Sequence, residues 1–287
     1  SDREAVMIAL TGTPLIGDGY NTKDVFGEYI HKYYYNRSIA DGYTLKLIRE
    51  GIKTEYRAKL NAVLEELEAR KGSLSKKDVY AHPKYVAALV DYIVDDFQHS
   101  RVALSDSTIG GMIVCDSSDQ ARMVDQELNR YSQVSHILIL HDVEDKETRR
   151  GYTEDFKKGK IDLLVVYNML LTGFDAPRLK KQYLGRVIKE HNLLQTLTRV
   201  NRPYKAFRYG YVVDFADIRA EFDKTNQAYF KELQAELGDE FERYSNIFKS
   251  QEEVEQELRA AQQKLFLYAT DNAELFSQQI TALDDKQ

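Results

Sequence analysis

From Ile109 onward the chain alternates short apolar runs with amphipathic stretches. The runs at 109–115, 136–140, 161–166, 183–188 and 210–215 are predicted as strands, and helical periodicity occupies 117–131, 145–158 and 191–201 between them. Continuous apolar strands separated by amphipathic helices predict a parallel sheet covered on both faces. Short connections and right-handed crossovers make it a doubly wound α/β lobe. Upstream, the apolar run Ala5–Leu10 ends at Thr11-Gly12-Thr13-Pro14, which reads as a strand running into a tight loop. A polar, tyrosine-rich stretch continues to about Tyr56, and helices are predicted at 54–71 and 83–99, on either side of a loop at 72–75. Residues from about 20 to 105 are therefore expected to be a helical insertion. After Asp217 the pattern is helical to the end, with breaks near Gly238 and Thr270-Asp271 and with Val254, Leu258, Leu265 and Phe266 at helix spacing. The expected organisation is an α/β lobe over 1–218 and a C-terminal α-helical region over 219–287.

At 287 residues and 43% hydrophobic, the chain can bury the core of one large domain plus a smaller helical unit. The net charge of −6 is unevenly spread: residues 219–287 hold 8 Lys/Arg against 15 Asp/Glu, leaving 32 against 31 before them. A nucleic-acid site must then be a local patch on the first part, and the acidic tail is a poor DNA binder. The glutamates at 252, 253, 255 and 257 read as a solvated helix face. The single Cys115 lies in an apolar run and reads as a small buried hydrophobe, which suits a reducing cytoplasm. No apolar stretch approaches the roughly 18 residues a bilayer span requires, so no membrane partner is expected. A chain that begins Ser1-Asp2 and enters at once on an apolar run is expected to be a piece of a larger protein.

The octet from Gln195 to Arg202 reads Q-x-x-x-R-x-x-R. If the preceding Asn192-Leu193-Leu194 helix continues through it, Gln195, Arg199 and Arg202 stand at i, i+4 and i+7 on one face. Two guanidinium forks aimed at one spot suit a polyphosphate, where they offset charge developing during phosphoryl transfer. An ordinary surface helix with two exposed arginines is the alternative. Functional residues of doubly wound lobes sit in loops after the strand C-termini, and both Thr11–Pro14 and Thr172–Pro177 fall in such loops.

Thr11-Gly12-Thr13-Pro14, the segment Leu170–Pro177 (L-L-T-G-F-D-A-P) and the octet resemble motifs III, V and VI of superfamily-2 helicases and translocases, in order. T-G-T-P in place of S-A-T, G-F-D-A-P, and T-R-V-N-R-P-Y over 198–204 narrow the resemblance to the R (restriction and translocation) subunit of type I restriction–modification enzymes. Val25–Ile30, Ile39–Gly42 and Val213-Asp214-Phe215 are similar to further segments of that family. The resemblance covers about residues 5–220. It implies a second RecA-like lobe over 1–218, followed by a helical region that in this family is associated with docking to the methyltransferase core.

The resemblance also implies chemistry. The full-length protein would be an ATP- and Mg²⁺-dependent translocase of double-stranded DNA and a site-specific deoxyribonuclease, working with methyltransferase and specificity subunits. Arg199 and Arg202 would face the γ-phosphate of ATP held by another lobe, and Gln195 would position the attacking water or sense the nucleotide. Thr11, Gly12 and Thr13 would couple the nucleotide site to the DNA track. Thr172 and Gly173 would bring backbone N–H groups to a DNA phosphate, with Gly173 free to take positive φ. Asp175 would accept hydrogen bonds from the motif VI region or the ribose. Ser117 reads as a helix N-cap beside which a DNA phosphate could lie.

Several residues carry two readings. Asp175 also suits a plain turn. The pair His141-Asp142 suggests a general base or, with no nucleophile nearby, solvated surface. Tyr33-Tyr34-Tyr35 could stack on bases or pack internally. Lys180, Lys181 and Arg186 could meet DNA phosphates or simply flank a strand. The sequence contains no G-x-x-x-x-G-K-[ST] loop, no D-E-x-H box and no P-D-(x)-E-x-K nuclease arrangement, and no metal ligands are expected. This segment alone is expected neither to hydrolyse ATP nor to cut DNA. The competing functions are another superfamily-2 DNA or RNA helicase lobe, or a non-catalytic module that binds DNA and docks a protein.

Overall fold

A computed structural model describes residues 8–11, 22–33, 35–71, 79–171, 173–188, 190–216, 248–249 and 255–260. Two short helices, α1 (Thr22–Phe26) and α2 (Tyr35–Ala40), precede strand β1 (Lys46–Gly51). Helices α3 (Thr54–Lys71) and α4 (Pro83–Ala103) follow. The alternating part runs β2 (Gly110–Val114), α5 (Ser118–Leu128), β3 (His136–Ile139), α6 (Lys146–Lys157) and β4 (Leu163–Val166). It continues through β5 (Leu179–Leu184), α7 (Glu190–Leu197) and β6 (Tyr209–Asp214), and a two-residue strand β7 lies at Phe248–Lys249.

The strands form one sheet in the order β3-β4-β2-β5-β6-β1-β7. The pairs β3–β4, β4–β2, β2–β5, β5–β6 and β6–β1 are all parallel. From β2 the chain crosses outward to β3, returns to β4, and then passes to the other side of β2 at β5, so β2 marks the switch point where such sheets place their sites. Local chemistry starts the helices. Ser117 accepts from the Gln120 N–H (3.1 Å) to cap α5, and Asp145 accepts from the Thr148 N–H (2.8 Å) to cap α6. Pro83 occupies the first turn of α4, where its missing N–H costs nothing.

Two apolar layers cover the sheet. On one face Tyr85, Leu89, Ile93 and Phe97 of α4 and Val124 and Leu128 of α5 pack against Ile113, Val165, Tyr183 and Val213. On the other, Phe156 of α6 and Leu193 and Leu197 of α7 pack against Met112, Val114, Leu164, Val166 and Leu184. This is the doubly wound parallel α/β lobe expected from the alternation. No helix among the described residues is long and apolar enough to cross a membrane.

The structure departs from the sequence reading in three places. Residues 46–51 form β1, which pairs along its length with β6, so the stretch from about 20 to 105 is not wholly a helical insertion. Strand β5 begins at Leu179, not 183, and takes in Lys180 and Lys181. Ile8–Thr11 carries no strand, and Ile8 and Leu10 are exposed, because nothing among the described residues offers this apolar run a neighbouring strand. By its internal contacts the chain divides into Ser1–Phe248 and Lys249–Gln287. The expected boundary at 218/219 lies outside the described residues. Within the expected helical tail, 255–260 is helical and Phe248–Lys249 is extended.

Candidate functional site

The loop between β4 and β5 is anchored by its apolar residues. Leu171, Phe174 and Ala176 are buried, and the Phe174 ring lies 6.0 Å from that of Phe156. The residues between them, Gly173 and Asp175, are left exposed. Gly173 takes φ +71°, and a Cβ there would meet nothing within 4 Å. Leu170 also has positive φ (64°), an uncommon conformation for a branched side chain that recurs at functional loops. Thr172 lies outside the described residues.

The octet is not helical throughout. Helix α7 ends at Leu197, and Thr198–Val200 form a turn in which the Arg199 N–H bonds the Thr196 carbonyl at 3.2 Å. The cause is competition for carbonyls. Those of Asn192 and Gln195 are taken by the hydroxyls of Thr196 (2.7 Å) and Thr198 (3.1 Å), and that of Gln195 also by Arg199 Nε at 2.9 Å. Pro203 further disfavours helix at Arg202. Gln195, Arg199 and Arg202 are therefore not three stations on one straight helix face.

The turn instead interlocks with the β4–β5 loop. Arg199 Nη1 donates to the Phe174 carbonyl at 2.6 Å, and Arg202 Nε lies 3.3 Å from Asp175 Oδ1. Leu193, Leu197 and Val200 anchor the segment in the second apolar layer while Arg202 stays exposed. Gln195 is half-buried in the last turn of α7. The β4–β5 loop and the turn after α7 thus form one constellation, with the Arg202 side chain exposed and that of Arg199 half-buried.

Beneath the turn, three successive carbonyls are held by the sheet. Lys180 Nζ donates to Val200 O at 3.2 Å and to Arg202 O, and the Leu45 N–H donates to Asn201 O at 2.6 Å. Burial, reinforced by the charge of Arg202, lowers the Lys180 pKa to about 7. Gly210 lies so close that a Cβ would come within 2.2 Å of Val200 O.

The remaining candidates are dispersed. Ser117 caps α5 as expected. Thr11 is exposed, and Gly12 and Thr13 lie outside the described residues. Lys180 and Lys181 are both buried and cannot reach DNA: Lys181 sits 3.0 Å from Asp96 and pairs with Glu50. Arg186 lies over the Tyr167 ring at 4.7 Å, at the C-terminal edge of β5. His141 is exposed and Asp142 pairs with Arg122 at 2.6 Å, the solvated-surface reading. Tyr33 donates to Asp41 at 2.7 Å, Tyr34 lies outside the described residues, and Tyr35 opens α2. Cys115 is buried, which pushes its thiol pKa up. No metal-holding cluster occurs among the described residues. Sequence reasoning missed Arg178, Gly210 and the role of Lys180. Only the lysine pair carried a signal, as charge set into an otherwise apolar stretch.

A parallel sheet with helices on both faces, with the loop after β4 bonded to an arginine-bearing turn after α7, makes a RecA-like lobe. Residues 107–217 match the family of type I restriction enzyme subunit R domain 3, and residues 3–79 match the SWI2/SNF2 ATPase family. The chain is 26% identical to the MjaVIIP endonuclease subunit of Methanocaldococcus jannaschii, over 89% of this chain and 29% of that protein. It is also 26% identical to the type I restriction enzyme SauCOLORF180P endonuclease subunit of Staphylococcus aureus, over 77% of this chain and 29% of that one. A fragment structure assigned to an HsdR subunit of a type I restriction enzyme from Vibrio vulnificus shares the fold. Its TM-score is 0.51 at 18% identity, covering 71% of this chain and 38% of that one. The chain is thus similar to HsdR-type R subunits of type I restriction enzymes, and it spans 29% of the length of the first two relatives.

Proposed function

We propose that this chain is the arginine-bearing motor lobe of an ATP-driven translocase of double-stranded DNA, within an R subunit that also cleaves DNA. The observation that carries this reading is the interlock of Arg199 with Phe174 and of Arg202 with Asp175. It ties the residues suited to a nucleotide to the loop suited to DNA, which is the mechanical link a translocase requires. The residues fit one side of a nucleotide site. Arg202 is exposed, and open space lies beside Gly173. The sequence has no phosphate-cradling glycine loop, so another lobe must hold the triphosphate and its Mg²⁺. ATP supplies the phosphoanhydride whose hydrolysis drives movement.

The side chains of this lobe do the rest. Arg199 and Arg202 stabilise charge at the γ-phosphate, and Gln195 orients the attacking water. Asp175 holds Arg202 or releases it as the site closes, while Thr11, Gly12 and Thr13 couple that closure to the DNA track. Thr172 and Gly173 contact the DNA backbone without reading sequence, and a DNA phosphate lies beside the helix N-terminus that Ser117 caps. The methyltransferase and specificity subunits dock through residues 219–287, and the complex works in the cytoplasm.

The test is an Arg199→Ala variant of the intact R subunit, assembled with its partners on DNA. ATP binding is expected to persist while hydrolysis falls on the order of 10³-fold. Turnover within a few-fold of the parent would overturn the assignment.

A further inference from the structure

Lys180 stands at an irregularity in the sheet. Gly110 pairs with Leu179 and Gly111 with Lys181, so Lys180 is the extra residue of a bulge between β2 and β5. Bulges re-aim side chains, and this one sends a fully buried lysine into the layer that carries α7. There its Nζ meets the carbonyls of Val200 and Arg202, on either side of the Asn201 carbonyl that Leu45 holds. Both protonation states of a lysine retain the two N–H donors this grip requires. Gly210 also leaves the Val200 carbonyl only enough room for a hydrogen atom.

A lone lysine in a central strand is costly unless its donors are satisfied. An apolar residue would fill the same position at less cost. What the lysine adds is a fixed location for three backbone carbonyls at the base of the turn that carries Arg199 and Arg202. We propose that Lys180 is a positioning residue for the motif VI arginines: it clamps the turn at Val200 and Arg202 and thereby sets where both guanidiniums point. This rests on the reading of Arg199 and Arg202 as ATP-facing. It assigns to Lys180 no contact with the nucleotide.

The experiment uses the intact R subunit with Lys180→Met, which keeps the length of the side chain and removes its donors, and Lys180→Gln, which restores one amide donor group. Two readouts are taken: steady-state ATP hydrolysis on DNA, and amide hydrogen exchange in the free protein. Lys180→Met is expected to lower kcat on the order of 10²-fold, the effect of a roughly 1 Å misplacement, with KM for ATP within about threefold. Exchange should accelerate over 195–204 and stay unchanged over α4, and Lys180→Gln should recover part of both. With Arg199→Ala and Arg202→Ala both already present, Lys180→Met should add little further loss, because it acts through those two groups.

Unchanged exchange over 195–204, or kcat within twofold of the parent, would overturn the proposal. So would faster exchange throughout the sheet, which marks general destabilisation, or a Lys180→Met loss that persists in full when Arg199→Ala and Arg202→Ala are both present. If Lys180→Met does not fold, Lys180→Leu, which likewise lacks donors, carries the same criteria. Failure here is distinguishable from failure of the functional reading: loss of activity in Arg199→Ala with normal Lys180 variants removes only the clamp.

Discussion

Arg199 donates a 2.6 Å hydrogen bond through Nη1 to the main-chain carbonyl of Phe174, while its Nε bonds the carbonyl of Gln195 at 2.9 Å. One guanidinium thus bridges the end of α7 and the loop after β4, and a planar fork is needed to span both acceptors. Arg199→Lys keeps the charge and loses the bridge. ATP hydrolysis in the intact protein is expected to fall on the order of 10²-fold or more, with the melting temperature little changed. Steady-state turnover and a thermal melt check this together.

The Arg202–Asp175 pair is more exposed, with side chains 46% and 65% accessible. Exposed ion pairs contribute little stability, about 0–1 kcal/mol. Asp175→Asn is therefore expected to leave unfolding almost unchanged while altering ATP turnover and its stimulation by DNA. A large stability loss with normal coupling would show the pair to be structural.

Arg178 makes a purely structural prediction. Its buried guanidinium donates to the carbonyls of Thr108 (2.8 Å), Phe156 (2.8 Å) and Ile161 (2.7 Å) and lies over the Phe156 ring at 4.8 Å. Arg178→Met strands these acceptors and should cost roughly 3 kcal/mol, read as a lower denaturation midpoint.

Lys180 predicts a pH dependence of stability. Its folded pKa of about 7 lies below the ordinary 10.5. Between those values the unfolded chain holds a proton that the folded chain lacks, so stability rises with pH across that window. The slope is at most about 1.4 kcal/mol per pH unit, and below the folded pKa the penalty is constant. Lys180→Met should flatten this part of the profile, as measured by denaturant unfolding at several pH values.

Much of this was legible in sequence because apolar runs mark buried strands. The runs behind β2, β3, β4 and β6 located those strands to within two residues at either end. Strand β1 escaped, and β5 was placed too late, for one shared reason. Their charged residues are buried by pairing with elements distant in sequence: Arg49 with Asp214 at 3.0 Å, Lys181 with Asp96 and Glu50, and Lys180 with the motif VI carbonyls. A pattern that equates charge with surface cannot see such partners. The arginines were found by motif, yet their geometry was not. Periodicity extends a helix through Arg202, whereas the threonine hydroxyls and Lys180 capture the carbonyls and replace it with a turn.

Arg199, on the proposed reading, acts on charge that develops during phosphoryl transfer. The most direct measurement is the affinity of the intact protein for ATP and for ADP with aluminium fluoride, a mimic of the transferring phosphoryl group, in the parent and in Arg199→Ala. ATP affinity is expected to stay within a few-fold of the parent, and affinity for the mimic to weaken on the order of 10²-fold or more. Equal weakening of both, or of neither, would contradict that reading.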